Sequence, residues 1–96
     1  MQATGTGGEL RVGSRRAAVL GRWELRAASG MPAVRFDITA AVAASDSYWI
    51  TQGPFTVDLQ FGRWHWRWDG VRAVVEAGTA SMLVCGRPEM VRDAQV

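Results

Sequence analysis

Apolar and polar residues alternate along most of this chain, and the alternation is cleanest from Phe55 to Cys85. Phe55, Val57, Leu59 and Phe61 alternate with Thr56, Asp58 and Gln60, the period of a half-buried strand. Trp64, Trp66 and Trp68 alternate with Arg63, His65 and Arg67; Val71, Ala73 and Val75 follow, then Ala80, Met82 and Val84. Gly62-Arg63, Asp69-Gly70 and Ala77-Gly78 stand between these runs. Gly-X and Asp-Gly suit two-residue hairpins, and Ala-Gly is a weaker signal of the same kind. Closing the chain at these joints sets Phe61 against Trp64, Leu59 against Trp66 and Val57 against Trp68. It then sets Trp66 against Ala73 and Ala73 against Met82. All four runs keep their apolar residues on one face, and a one-residue slip at any joint would turn a strand inside out. The pattern predicts a four-stranded antiparallel meander over residues 55–85. Asp69-Gly70 has a second reading, a bulge within one bent strand, because a bulge also reverses parity.

The same alternation marks Val34–Val42, with Val34, Phe36, Ile38, Ala40 and Val42 facing in, and Ala17–Ala27, with Val19, Trp23, Leu25 and Ala27 on one side. Gly21 falls on the apolar side of the latter and marks a bulge or a close approach. Glu9–Val12 reads as a short first strand, and Ser29-Gly30-Met31-Pro32 and Thr51-Gln52-Gly53-Pro54 read as turns. Two apolar faces packed together give an all-β fold, a small antiparallel β-sandwich or partly closed barrel of about six to eight strands. The expected core is Trp23, Phe36, Ile38, Leu59, Trp64, Trp66, Trp68, Val75 and Met82. Residues 9–86 form the β domain and residues 87–96 a tail without readable pattern. Residues 1–8, rich in Gly and Thr, read as an extended or flexible arm, too poor in apolar side chains to offset its ordering entropy. An arm of this kind suits capture by a neighbouring copy.

The chain has 96 residues, enough for a modest single core. Its one cysteine, Cys85, gives neither an internal disulfide nor a multi-cysteine metal site. No apolar run reaches membrane-spanning length and no signal peptide opens the sequence, so a virion or the cytoplasm is the expected location, with no membrane partner. Every basic side chain except His65 is arginine and the net charge is only +2. The basic residues alternate with acids instead of forming a block, which argues against nucleic acid as a partner.

Candidate chemistry is sparse. His65 stands on the outer face between Arg63 and Arg67, and the strand pairing places no cysteine or serine nucleophile near it. No catalytic, metal or cofactor residues are assigned, and an enzyme is the least favoured class. On the same face Asp58 is expected opposite Arg67, Arg63 opposite Glu76, and Arg72 beside Arg67, a charge-patterned docking surface. Tyr48, Trp49 and Phe55, beside the Gly53-Pro54 turn, complete a candidate interface with Arg63, His65, Arg67 and Arg72. The expected function is a structural or assembly protein working through contacts with other protein subunits, as in a phage head, head–tail connector or tail. The alternative is a small barrel resembling oligonucleotide-binding folds, which would stack single-stranded nucleic acid or sugars on the Trp row.

Overall fold

The computed structural model describes residues 2–27 and 35–92. The turn expected at residues 29–32, Val34 and the last residues of the tail, 93–96, lie outside the described residues. The strands in chain order are β1 (Gln2–Thr6), β2 (Gly8–Val12), β3 (Arg15–Ala18), β4 (Leu20–Ala27), β5 (Arg35–Ala41), β6 (Phe55–Phe61), β7 (Trp64–Val71), β8 (Ala73–Glu76), β9 (Thr79–Cys85) and β10 (Glu89–Arg92). One short helix, α1 (Ser47–Gln52), follows a 3-10 turn at Ala44–Asp46. The strands form two five-stranded antiparallel sheets packed as a sandwich, in the orders β1-β4-β5-β9-β8 and β10-β7-β6-β2-β3. No barrel closes. The strand count exceeds the expected six to eight because both ends of the described chain and a split of the Ala17–Ala27 run supply further strands.

The hairpin registers follow the sequence pattern residue for residue at two of the three joints. β6 and β7 pair Phe61 with Trp64, Leu59 with Trp66 and Val57 with Trp68. β8 and β9 pair Ala73 with Met82, Val75 with Ala80 and Glu76 with Thr79. At the third joint the meander is corrected: Asp69-Gly70 is a bulge inside β7, with Gly70 at φ +65°. The register moves from Val57↔Trp68 to Phe55↔Val71, so Thr56 faces two residues. β7 and β8 therefore lie in different sheets, and the chain crosses between them at Arg72. A bulge and a two-residue hairpin shift side-chain parity alike, so Val71, Ala73 and Val75 turn inward under either topology. Gly21 likewise marks a register shift between β4 and β5, with φ +70°.

The arm expected at residues 1–8 is also corrected. Gln2–Thr6 is the edge strand of the first sheet, paired along β4 from Gln2↔Arg26 to Thr6↔Arg22. Backbone pairing and the lack of a side chain at Gly5 supply what the arm's own side chains do not. A Cβ at Gly5 would stand 2.6 Å from Cζ2 of Trp23, so the indole lies directly against β1. At Gly7-Gly8 the chain turns from the first sheet into the second, and both carbonyl oxygens of this corner are satisfied: Gln60 N–H donates to Gly7 O (3.2 Å) and Val19 N–H to Gly8 O (3.0 Å). The tail becomes β10, paired with β7 from Glu89↔Arg67 to Arg92↔Trp64.

The core between the sheets joins Trp23, Leu25, Phe36, Ile38 and Met82 from the first sheet to Leu10, Val57, Leu59 and Trp68 from the second, with Ile50 of α1 closing one end. Of the expected core, Trp66 and Val75 are half-buried and pack on its margin. Trp64 is corrected to an exposed residue: it sits at the tip of the β6–β7 hairpin, beyond the cover of the facing sheet, and is 41% exposed. Trp23 is 0% exposed and meets the rings of Phe61 and Trp66 at centroid distances of 6.0 and 6.2 Å. Trp23→Ala is expected to cost about 3–5 kcal/mol, while Trp64→Ala costs about 1 kcal/mol or less. Urea unfolding of the two variants, followed by far-UV circular dichroism, checks this; equal midpoints would contradict the burial difference.

Candidate functional site

Two surfaces of the second sheet gather the side chains with chemical interest. On its outer face a row of charged residues runs across four strands, with Glu89 opposite Arg67, Arg67 opposite Asp58 and Asp58 opposite Glu9. Asp58 is buried, 4% exposed, although it points away from the sandwich core. Its Oδ2 accepts from Nε and a terminal nitrogen of Arg67 at 3.1 and 3.0 Å, and its Oδ1 lies 2.7 Å from Nδ1 of His65. Against a carboxylate, which only accepts, Nδ1 carries the hydrogen. Arg67 reaches on to Glu89 at 3.5 Å. The like-charged neighbour Glu9 is balanced from its other side by Arg11 and Arg16. The expected pair Asp58–Arg67 is thus present, and Gln60 lies opposite His65. The expected pair of Arg63 with Glu76 and the neighbour relation of Arg67 with Arg72 are corrected, because β8 belongs to the other sheet.

A shallow hollow of about 300 Å³ lies over this row, lined by Gly8, Glu9, Arg11, Asp58, Gln60, His65 and Arg67. No serine, threonine or cysteine lines it. Among the described residues no group of three or more His, Cys, Asp and Glu could hold a metal ion. The charges balance along the row: ion pairs tie β10, β7 and β6 together through Arg67, and Glu9 separately ties β2 to β3 through Arg16.

The second surface is apolar and belongs to the inner face of the same sheet, where the first sheet leaves it uncovered. Phe61 and Trp64 are register partners at the hairpin tip, each 41% exposed. Phe61 stacks on Trp66 at 4.9 Å, Trp66 pairs with Met90 of β10, and Met90 is exposed. The strip continues into a cleft of about 390 Å³ between the sheets, lined by Leu25, Phe36, Trp66, Trp68, Arg87, Pro88 and Met90. Trp68 spends its indole N–H on Gly86 O at 3.1 Å. The Trp66 Nε1 is buried and has no hydrogen-bond partner among the described residues. Arg63 follows the tip in the turn and Arg92 lies opposite Trp64, so arginines rim the aromatic strip.

The remaining interface candidates are dispersed. Tyr48 is exposed on α1, and Trp49, half-buried beside it, donates from Nε1 to Asp46 at 2.9 Å. Phe55 is corrected to a core residue, buried where β6 enters the sandwich. Arg72 is exposed at the crossing between sheets and its side chain lies beside Gly53. Tyr48 and Trp49 therefore do not join Arg63, His65 and Arg67 in one surface. Phe61, Trp64 and Met90 are the residues that sequence pattern assigned to an interior or left unread. The available signal was the tight Gly62-Arg63 turn, which places the adjoining pair farthest from the sandwich centre.

Among the described residues no helix is long and apolar enough to cross a membrane. Comparison of the chain with protein-family models, with curated proteins and with solved structures finds no match in any of the three.

Asp58→Ala is expected to destabilise the fold by about 1–3 kcal/mol, because Arg67 and His65 lose a buried acceptor. In a double-mutant cycle with Arg67→Ala, measured by urea unfolding, the pair should show positive coupling. Strictly additive losses would contradict the ion-pair row.

Proposed function

We propose that this sandwich is a non-enzymatic assembly module working through protein–protein contacts, as a small component of a phage or phage-like particle (a head decoration, a head–tail connector or a tail-associated subunit). The observation that carries the reading is the open aromatic strip of Phe61, Trp64, Trp66 and Met90. Interface centres are enriched in aromatic residues, Met and Arg, and the binding energy concentrates on such anchors. A contiguous apolar strip on a small β domain is costly to leave in water, whereas scattered single apolar residues are ordinary. The balanced charge of the other face suits a protein neighbour better than a polyanion. The particle assignment rests on architecture, since small all-β subunits with charge-patterned faces recur in such assemblies.

One observation favours a second reading. Trp64 is exposed beside Arg63 and Arg92, which is the combination that stacks and neutralises single-stranded nucleic acid. The two readings separate in a titration. The assembly reading expects weak single-stranded DNA binding at physiological salt, unaffected by Trp64→Ala. Submicromolar binding that is lost in Trp64→Ala and weakens steeply with salt would replace it with the nucleic-acid reading. The assembly reading itself is tested by peptide mass spectrometry of purified particles from the source culture. It expects this chain at many copies per particle, and its absence from particles while the free protein is abundant would overturn the assignment.

A further inference from the structure

The two sheets have four edges, and they are not alike. β3 carries Arg15 and Arg16, β10 carries Glu89 and Arg92, and β8 is a four-residue strand ending in Glu76. Charges on an edge and short edge strands are the usual guards against pairing with another chain. β1 has neither guard: Gln2-Ala3-Thr4-Gly5-Thr6 is five residues long, without charge or proline. It pairs with β4 alone; β6 comes near it at the corner where Gly7 O accepts from Gln60 N–H, but among the described residues no strand is paired along its outer side. Its outer row of N–H and C=O groups is therefore a template for a further strand.

We infer that β1 is the contact through which two copies of this chain pair, antiparallel and edge to edge, joining their first sheets into one continuous sheet. The inference rests on the assembly reading only in kind, since it names a self-contact and not the particle. Full overlap of five residues with five places the two-fold axis at Thr4, with Gln2 opposite Thr6 of the second copy and Ala3 opposite Gly5. An isologous contact of this sort needs a self-complementary strand, and β1 sets no like charges face to face. The nearest outer-face charges are Arg22, Glu24 and Arg26 on β4, in register with Thr6, Thr4 and Gln2. Across the join, equivalent charges on the two β4 strands stand three strand spacings apart, about 14 Å, beyond the Debye length of about 8 Å at physiological salt. The other edges fail this test, because β3 paired with itself would crowd four arginines at the join. Apolar surface lies near the contact as well. Gly5 touches the Trp23 indole, and that ring meets Phe61, so the half-exposed Phe61 lies one ring away from the edge.

The test is sedimentation equilibrium on the full chain and on two variants, Thr4→Lys and Thr4→Glu. Thr4 is exposed, so either side chain is tolerated in the monomer, which circular dichroism verifies. The wild type should reach a monomer–dimer equilibrium in the micromolar range, and each variant should weaken it by up to about fivefold. An equimolar mixture of the two variants should restore the dimer, because lysine then faces glutamate at the axis. A wild type that remains monomeric at its highest soluble concentration overturns the inference. So does a dimer that either variant leaves intact, or a mixture that stays monomeric. The failures are separable from those of the assembly reading: a monomer found in particles sinks the edge contact alone, and a dimer absent from particles sinks the particle assignment alone.

Discussion

A Cβ on Gly8 would stand 2.3 Å from the carbonyl oxygen of Asp58, and that close approach governs how one chain serves two sheets. Only a residue without a side chain fits there, at φ +135°. With it, the run from Gln2 to Val12 pairs with β4 in the first sheet and with β6 in the second. The partner run bends at the same level, where Val19 N–H donates to Gly8 O. Arg72, after the Asp69-Gly70 bulge, is the corresponding crossing between β7 and β8. At each crossing the apolar side chains stay inward, so the core is continuous although the hydrogen-bonded ladders are not. At the Gly7-Gly8 corner, where the ladder is broken, both carbonyl oxygens find other donors, as buried backbone groups must.

The placement of the strands then fixes what is exposed. With β8 in the other sheet, β7 takes β10 as its neighbour, and this brings Met90 beside Trp66. The facing sheet leaves the β6–β7 tip bare, so Phe61 and Trp64 join the same apolar strip. The outer face of that sheet is held by ion pairs: Arg67 bridges Asp58 and Glu89, and His65 closes the second oxygen of Asp58. One sheet therefore carries a self-satisfied charged face and an unsatisfied apolar one, and the assembly reading follows from the second.

Much of this was legible in the sequence because parity is a strong constraint. The pairs Leu59–Trp66, Ala73–Met82 and Asp58–Arg67 follow from counting residues across tight turns. The same counting is blind to which sheet a strand joins, since a bulge and a hairpin at Asp69-Gly70 give identical parity. It also misjudged residues 2–6, because composition measures side-chain burial, whereas β1 is held by backbone pairing and by the fit of Gly5 to Trp23. Trp64 was misplaced for a third reason: alternation assigns a face, and depth along that face depends on how far the opposing sheet reaches. Among the interface candidates, Phe55 failed in the same way, with the opposite sign, since the turn beside it leads straight into the core.

The open strip, and with it the functional reading, depends on β10 and not β8 lying beside β7. Cross-strand nuclear Overhauser contacts at Trp66 test that arrangement most directly. The account predicts backbone contacts from Trp66 to Leu59 on one side and to Met90 on the other, with Ala73 contacting Met82 alone. Contacts between Trp66 and Ala73, with none to Met90, would establish a four-stranded meander, cover the strip and contradict the account.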